Sequence, residues 1–204
     1  MEAFCHKLGQ TLRLTDRENS RVVVPDGLWS IDSESHKLFL VGRLLSTKQP
    51  KFEALAASVK SMFNPVKGLE MRRLEEGRFL LRFNHILDRN RAMDGCPWCF
   101  EKNVLILNGV GVNENPMHVN LDWCDFFVHI HDLPLSKMNF GIASLIGNTL
   151  GRFRDLEMAE FGRAWGFSNR IRVAINVTQP LIRALRVRTT MGDELVVSFT
   201  YERL

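Results

Sequence analysis

Two cysteines flank Pro97 and Trp98 in GCPWCF (95–100), the spacing of a redox dithiol or of half a zinc site. Cys124 follows, and then His129 and His131 of HIH. A redox pair needs its first thiol at a helix N-terminus, where the dipole favours thiolate. Here the cysteine pair leads into FEKNVLILNG, which reads as strand. Zinc needs four ligands in a tetrahedron, and Cys96, Cys99, His129 and His131 are the candidates. Alternate residues of one strand stand ~7 Å apart, and metal–nitrogen bonds are close to ~2 Å. The two imidazoles would therefore share an ion only with distortion. The cysteines read as buried thiols that behave as small hydrophobes, and no metal or cofactor is expected.

Other reactive arrangements are missing from the sequence. There is no GxSxG, GxxxxGK[ST], HExxH or dinucleotide GxGxxG. GVGVNEN (109–115) has two glycines after a strand but no helix start behind them. Asp122 and Asp125 could pair carboxylates, yet no base or nucleophile is placed beside them. The chain reads as a non-enzyme.

Charge is the stronger signal. The 204 residues carry a net charge of +4, with a 45% hydrophobic and 25% charged composition, ordinary for a globular protein. Between Phe161 and Thr190 stand six arginines, Arg163, Arg170, Arg172, Arg183, Arg186 and Arg188, and no acid. Such a local excess suits an anionic partner, most often nucleic acid, or a solvated strand face. The start of the chain has no signal-peptide block, and no apolar run approaches the ~18 residues of a membrane span. Nucleus or cytoplasm is the expected location, with reduced thiols and no membrane partner.

The elements that must position these residues follow from periodicity. Residues 1–36 read as a lead-in, with a short helix in LGQTLRL and a strand in RVVVP. HKLFLVGRLLS (36–46) is a strand. KFEALAASVKSMF (51–63) is a helix, with Phe52, Leu55, Ala56, Val59 and Phe63 on one face. GLEMRRLEEGRFLLRFN (68–84) is a hairpin around EEG, HILDRNRAM (85–93) a second helix, and PWCFEKNVLILNG (97–109) a further strand segment. This β-α-β-β-α-β order over 37–110 is the split ferredoxin-like arrangement, which the RNA-recognition motif also uses. After a polar connection (110–120), residues 118–204 read as a second antiparallel α+β half. It has a strand at 122–133, a helix at 137–151, and strands near 152–158, 170–177, 183–189 and 194–202. The fold class is α+β, and no exact internal repeat is visible.

Against the RNA-recognition signature, Gly77 and Gly42 fit but the stacking aromatics do not. Arg78 and Leu80 take the exposed stacking positions of the inner strand and Leu40 that of the first strand, with Phe79, Leu81 and Phe83 inward. Stacking of ~1–3 kcal/mol per base is thus missing. Arg78 and Arg82 could still stack on bases or bind phosphate. Either the sheet binds nucleic acid electrostatically or the second half covers it.

Several stretches together resemble the plant domain of unknown function 4283. These are LFLVGRLLS with KFEALAASVKSMF, GRFLLRF, GCPWCFEKNVLIL, FVHIHDLPL, IASLIGNTLG, and RIRVAINVTQPLIRALRV ending in VSFTYERL. The resemblance runs from about residue 10 to the last. It implies a gag-like protein of LINE-type retrotransposon origin, normally followed by a CCHC zinc knuckle. No Cys-x2-Cys-x4-His-x4-Cys occurs in the sequence. In this family Trp98 and Phe100 are fixed hydrophobes entering a strand, while Cys99, His129 and His131 fall at variable positions.

The expectation is a non-enzymatic module that associates weakly and electrostatically with RNA or single-stranded DNA. Arg163, Arg170, Arg172, Arg183, Arg186 and Arg188 would contact phosphates, with Arg78 and Arg82 as secondary candidates. The alternative is a protein–protein assembly scaffold, a homo-oligomer without nucleic-acid binding of its own. A dithiol or zinc protein is the third reading.

Overall fold

The computed structural model describes residues 35–203 apart from positions 49, 135, 136, 138, 158–168, 189–191 and 193, together with residues 15, 23 and 25. The helix expected in LGQTLRL falls outside the described residues, as do positions 21, 22 and 24 of the strand expected in RVVVP, while Val23 and Pro25 are described outside any strand. By contact density the chain divides into Met1–Ser33 and Glu34–Leu204, and both sheets lie in the second unit.

The first sheet is built from β1 (Phe39–Leu44), β2 (Leu69–Arg73), β3 (Arg78–Phe83), β4 (Trp98–Phe100) and β5 (Asn103–Gly109), in the order β2-β3-β1-β5-β4. Helices α1 (Phe52–Phe63) and α2 (Ile86–Asp94) cover one of its faces. Leu55, Val59 and Phe63 of α1 are buried there against Leu40, Phe79, Leu81, Phe83, Leu105 and Leu107. The β2–β3 turn places Glu76 and Gly77 at positive φ (56° and 70°), the type I′ geometry that suits a two-residue hairpin. The segment read as one strand over 97–109 is instead a hairpin. Glu101 and Lys102 turn between β4 and β5 with φ of 48° and 64°. Neither is the Gly or Asn that announces such a turn.

The second sheet comprises β6 (Trp123–His131), β7 (Arg152–Glu157), β8 (Asn169–Asn176), β9 (Ala184–Arg188) and β10 (Glu194–Tyr201), in the order β7-β8-β6-β10-β9. With β6 in the place of β1, this repeats the connectivity of the first sheet. The molecule is thus an α+β fold of two antiparallel sheets, the first with complete ferredoxin-like topology. Helix α3 (Phe140–Leu150) corresponds to α1, and Asn139 caps it by accepting from the Ile142 N–H at 3.0 Å. No counterpart of α2 exists: residues 177–183, between β8 and β9, form only a short turn and an extended stretch.

That missing helix decides how the halves join. Helix α3 packs on β7 and β8, and the rest of the apolar face of the second sheet needs another cover. Val41, Val104 and Ile106, from the helix-free face of the first sheet, enter one buried cluster with Val119, Leu121 and the inner residues of β6, β8 and β10. The connection 119–121 lies across that face. Arg78 Nη1 donates to Val119 O at 2.6 Å, Arg43 Nη2 to Leu121 O at 3.5 Å, and Asn108 Nδ2 to Asn120 O at 3.0 Å.

One carboxylate anchors the start of α2. Asp88 is buried, accepts from the Lys67 backbone N–H at 2.8 Å, and pairs with Arg91. The Lys67 N–H is the main cause that holds its carboxyl below the usual range, with the Val66 N–H and Arg91 adding to it against the opposing effect of burial. A depressed native pKa gives stability that is present above the unfolded-state value of ~3.9 and is lost as pH falls through the native value. The thermal midpoint is therefore expected to drop below about pH 4, and Asp88→Asn should flatten that drop while lowering the midpoint at pH 7. An unchanged acid limb in the variant would show that Asp88 does not contribute.

Candidate nucleic-acid interface

Strand β6 alternates cleanly. Cys124, Phe126, Val128 and Ile130 are buried, while Trp123, Asp125, Phe127, His129 and His131 lie on the opposite, helix-free face. The pairing of β6 with β8 puts Arg172 opposite Phe127 and Arg170 opposite His129 on that same face. Arg152 of β7 and Arg186 and Arg188 of β9 extend it sideways.

The guanidinium groups lie on the aromatic rings. Arg170 sits 3.5 Å from the Phe127 centroid, Arg172 5.7 Å from the same ring, and Arg152 4.0 Å from that of Trp123. Contacts of this kind are favourable by ~0.5–2 kcal/mol, and they hold the cationic groups over the rings. Two carboxylates position the central pair. Glu202 accepts from Arg170 Nε at 2.7 Å and Nη2 at 3.1 Å, and lies 2.6 Å from His129 Nε2. The Arg170 bonds foremost, then His129, hold its carboxyl down at about 2. Asp125 accepts from Arg172 Nε at 3.1 Å and Arg154 Nε at 3.4 Å.

At its β7 edge the face meets the end of α2. Arg172 Nη2 donates to Met93 O at 3.3 Å. A cleft of about 390 Å³ opens there, lined by Trp123, Arg152, Arg154, Arg172, Asn108 and Asn120 among others.

The arginines expected to bind are placed as follows. Arg163 lies outside the described residues. Arg170 and Arg172 share the centre of the face, each held by a carboxylate. Arg183, Arg186 and Arg188 are exposed on or beside the edge strand β9. Arg186 pairs with Glu194 at 3.1 Å, its own side chain 80% exposed. Arg78 is far from this group, turned onto Val119 O. Arg82 sits on the first sheet, 4.0 Å from Glu70.

The expected place of Leu40 needs correction. It pairs with Leu81 and is fully buried under the helices; Val41, opposite Leu80, occupies the helix-free face. The apolar run FLV shows no alternation to fix the register, which is why the sequence suggests an exposed Leu40. Trp123 and Phe127 are signalled only by the alternation in WCDFFVHIH.

The His129 and His131 rings stack with centroids 6.2 Å apart, but the cysteines and histidines do not converge on one point. His129 turns to Glu202, and His131 Nε2 lies 2.8 Å from Thr200 Oγ1. Cys96 lies against Ala92 O, and Cys99 Sγ donates to Arg203 O at 2.8 Å. Among the described residues no three His, Cys, Asp or Glu side chains are arranged to hold a metal ion. Burial pushes the Cys96 thiol up to about 12 and raises Cys124 as well, the reverse of thiolate activation. Among the described residues no helix is long and apolar enough to cross a membrane.

Comparison with solved structures finds the Caenorhabditis elegans NONO-1 homodimer, at 11% identity and a TM-score of 0.30, covering 68% of this chain and 50% of that one. The Sex-lethal protein–RNA complex matches at 11% identity and 0.30, covering 82% and 99%. Sex-lethal RNA recognition domains 1 and 2 from Drosophila melanogaster match at 12% and 0.29, covering 67% and 85%. The chain spans about half the length of the NONO-1 chain it matches. At this level of likeness the neighbours carry no information about ligands. Comparison with curated proteins finds no match. The family model for a domain of unknown function, DUF4283, matches residues 12–117, through the first sheet and into the connection behind it. The resemblance read to residue 204 is thus matched by the model over the first half, and the chain belongs to the DUF4283 family.

Proposed function

We propose that this chain is a non-enzymatic module of retrotransposon, gag-like origin that binds RNA or single-stranded DNA weakly through the helix-free face of its second sheet. The observation that carries this reading is the layer of Arg152, Arg170 and Arg172 on Trp123 and Phe127, flanked by exposed Arg183, Arg186 and Arg188. Guanidinium groups set over aromatic rings meet both needs of a single strand: charge for phosphates and planar groups for bases. Glu202 and Asp125 cancel part of that charge, which favours weak binding over tight. The helix-free face of the first sheet is taken up by internal packing and does not take part.

Fluorescence anisotropy of a labelled single-stranded RNA tests the reading. Affinity is expected to fall steeply between 50 and 200 mM salt, with a log–log slope of about −0.7 per phosphate contact. Glu202→Gln should tighten binding at low salt, because it removes an acid from the face. No binding at 50 mM salt would sink the proposal, and equal binding to charge-matched polyglutamate would remove any recognition of nucleic acid as such.

A further inference from the structure

A second cationic feature lies at the opposite end of the first half, away from the face just described. The β1–α1 connection and the β2–β3 hairpin enclose a pocket of about 200 Å³. Four cations line it, Arg43, Lys48, Arg73 and Arg78, against one acid, Glu76. None of the four has a carboxylate partner within ion-pair distance among the described residues. Arg43 and Arg78 donate to the backbone carbonyls of Leu121 and Val119, which satisfies N–H groups without neutralising charge. Arg73 lies over the Phe52 ring at 5.8 Å, which also leaves its charge in place.

Arg43 is half-buried, and its Nε is shut off from solvent, so that atom is not itself open to a ligand. The pocket also receives the start of α1, whose N-cap residue Lys51 makes no side-chain cap. The free N–H groups of that first turn add positive potential to the same place. Like charges around one pocket repel each other, and a bound anion would relieve that repulsion.

We propose that this pocket binds a single phosphate group, whether free phosphate or one unit of a nucleic-acid backbone. The volume is below the roughly 300–1,000 Å³ of sites that enclose whole small molecules, so it suits a phosphate rather than a nucleotide. The inference is independent of the second-sheet reading and stands if that reading fails.

The test is a proton–nitrogen correlation spectrum of the labelled full chain. It is titrated with sodium phosphate, with sodium chloride at matched ionic strength, and with an oligothymidylate lacking terminal phosphates. Saturable shifts at the amides of 46–48, 52–54 and 73–78 are expected with phosphate or with the oligonucleotide, and none with chloride. Saturation by phosphate alone assigns the site to the free anion; saturation by the oligonucleotide assigns it to the backbone. The exposed pair Lys48→Gln and Arg73→Gln should weaken that response on the order of tenfold. Shifts that follow ionic strength alone, or that persist unchanged in the double variant, overturn the proposal. Should the double variant misfold, Lys48→Gln alone, in an exposed loop, makes the same comparison.

Discussion

Leu121→Ala is expected to lower the unfolding free energy by about 2–5 kcal/mol, measured as a shifted urea midpoint with an unchanged slope. Leu121 is 2% exposed although it lies in a connection between two sheets, and connections ordinarily run over the surface. Its burial follows from the missing second helix of the second half. An apolar sheet face without that helix must be covered, and the face of Val41, Val104 and Ile106 with Val119 and Leu121 between does so. Truncation leaves a cavity where both halves meet, so the loss should appear in one cooperative transition and not in a separate melting of either sheet. Val112, 66% exposed in the same connection, supplies the control: Val112→Ala should change stability by no more than about 0.5 kcal/mol. A loss in Leu121→Ala as small as that would mean that 119–121 merely rests on the sheet.

Much of this architecture was legible, and the failures are physical. The face of α1 was readable because Leu55, Val59 and Phe63 recur at helical spacing. Strand β6 was readable in extent, and its two-residue alternation held the candidate interface in plain view. The β4–β5 hairpin was hidden because Glu101 and Lys102 adopt left-handed backbone without the residues that favour it. The repeated connectivity was hidden for another reason: topology is conveyed by the order of elements, and a turn replaces one helix in the second copy. The arginine cluster was visible as composition, but its partition was not. Arg170 and Arg172 are held by Glu202 and Asp125, and both acids lie outside the acid-free stretch 161–190. Long-range pairing of that kind has no local signature. The same holds for the pocket at Arg43, whose four cations come from three separate strands and a loop.

The partition of the arginines sets up the largest effect expected on binding. Reversal of Arg183, Arg186 and Arg188 to Glu should weaken binding of single-stranded RNA by about 10²–10³-fold at 50 mM salt and lower the magnitude of the salt slope by about 2, from about 0.7 per lost contact. These three are the choice because their side chains are exposed and little of the fold rests on them. The Arg186–Glu194 pair is solvent-exposed on both sides, and such pairs contribute only ~0–1 kcal/mol. Reversal of Arg170 or Arg172 would instead leave Glu202 or Asp125 facing a like charge, so a binding loss could not be separated from damage to the sheet. Lys60, exposed on α1 in the first half, controls for a single charge reversal away from the second sheet. Lys60→Glu should leave the slope within about 0.7 of the parent, the size of one contact. If the triple variant instead keeps the parent's slope, the edge strand makes no phosphate contacts, and binding through the second sheet rests on Arg152, Arg170 and Arg172 alone.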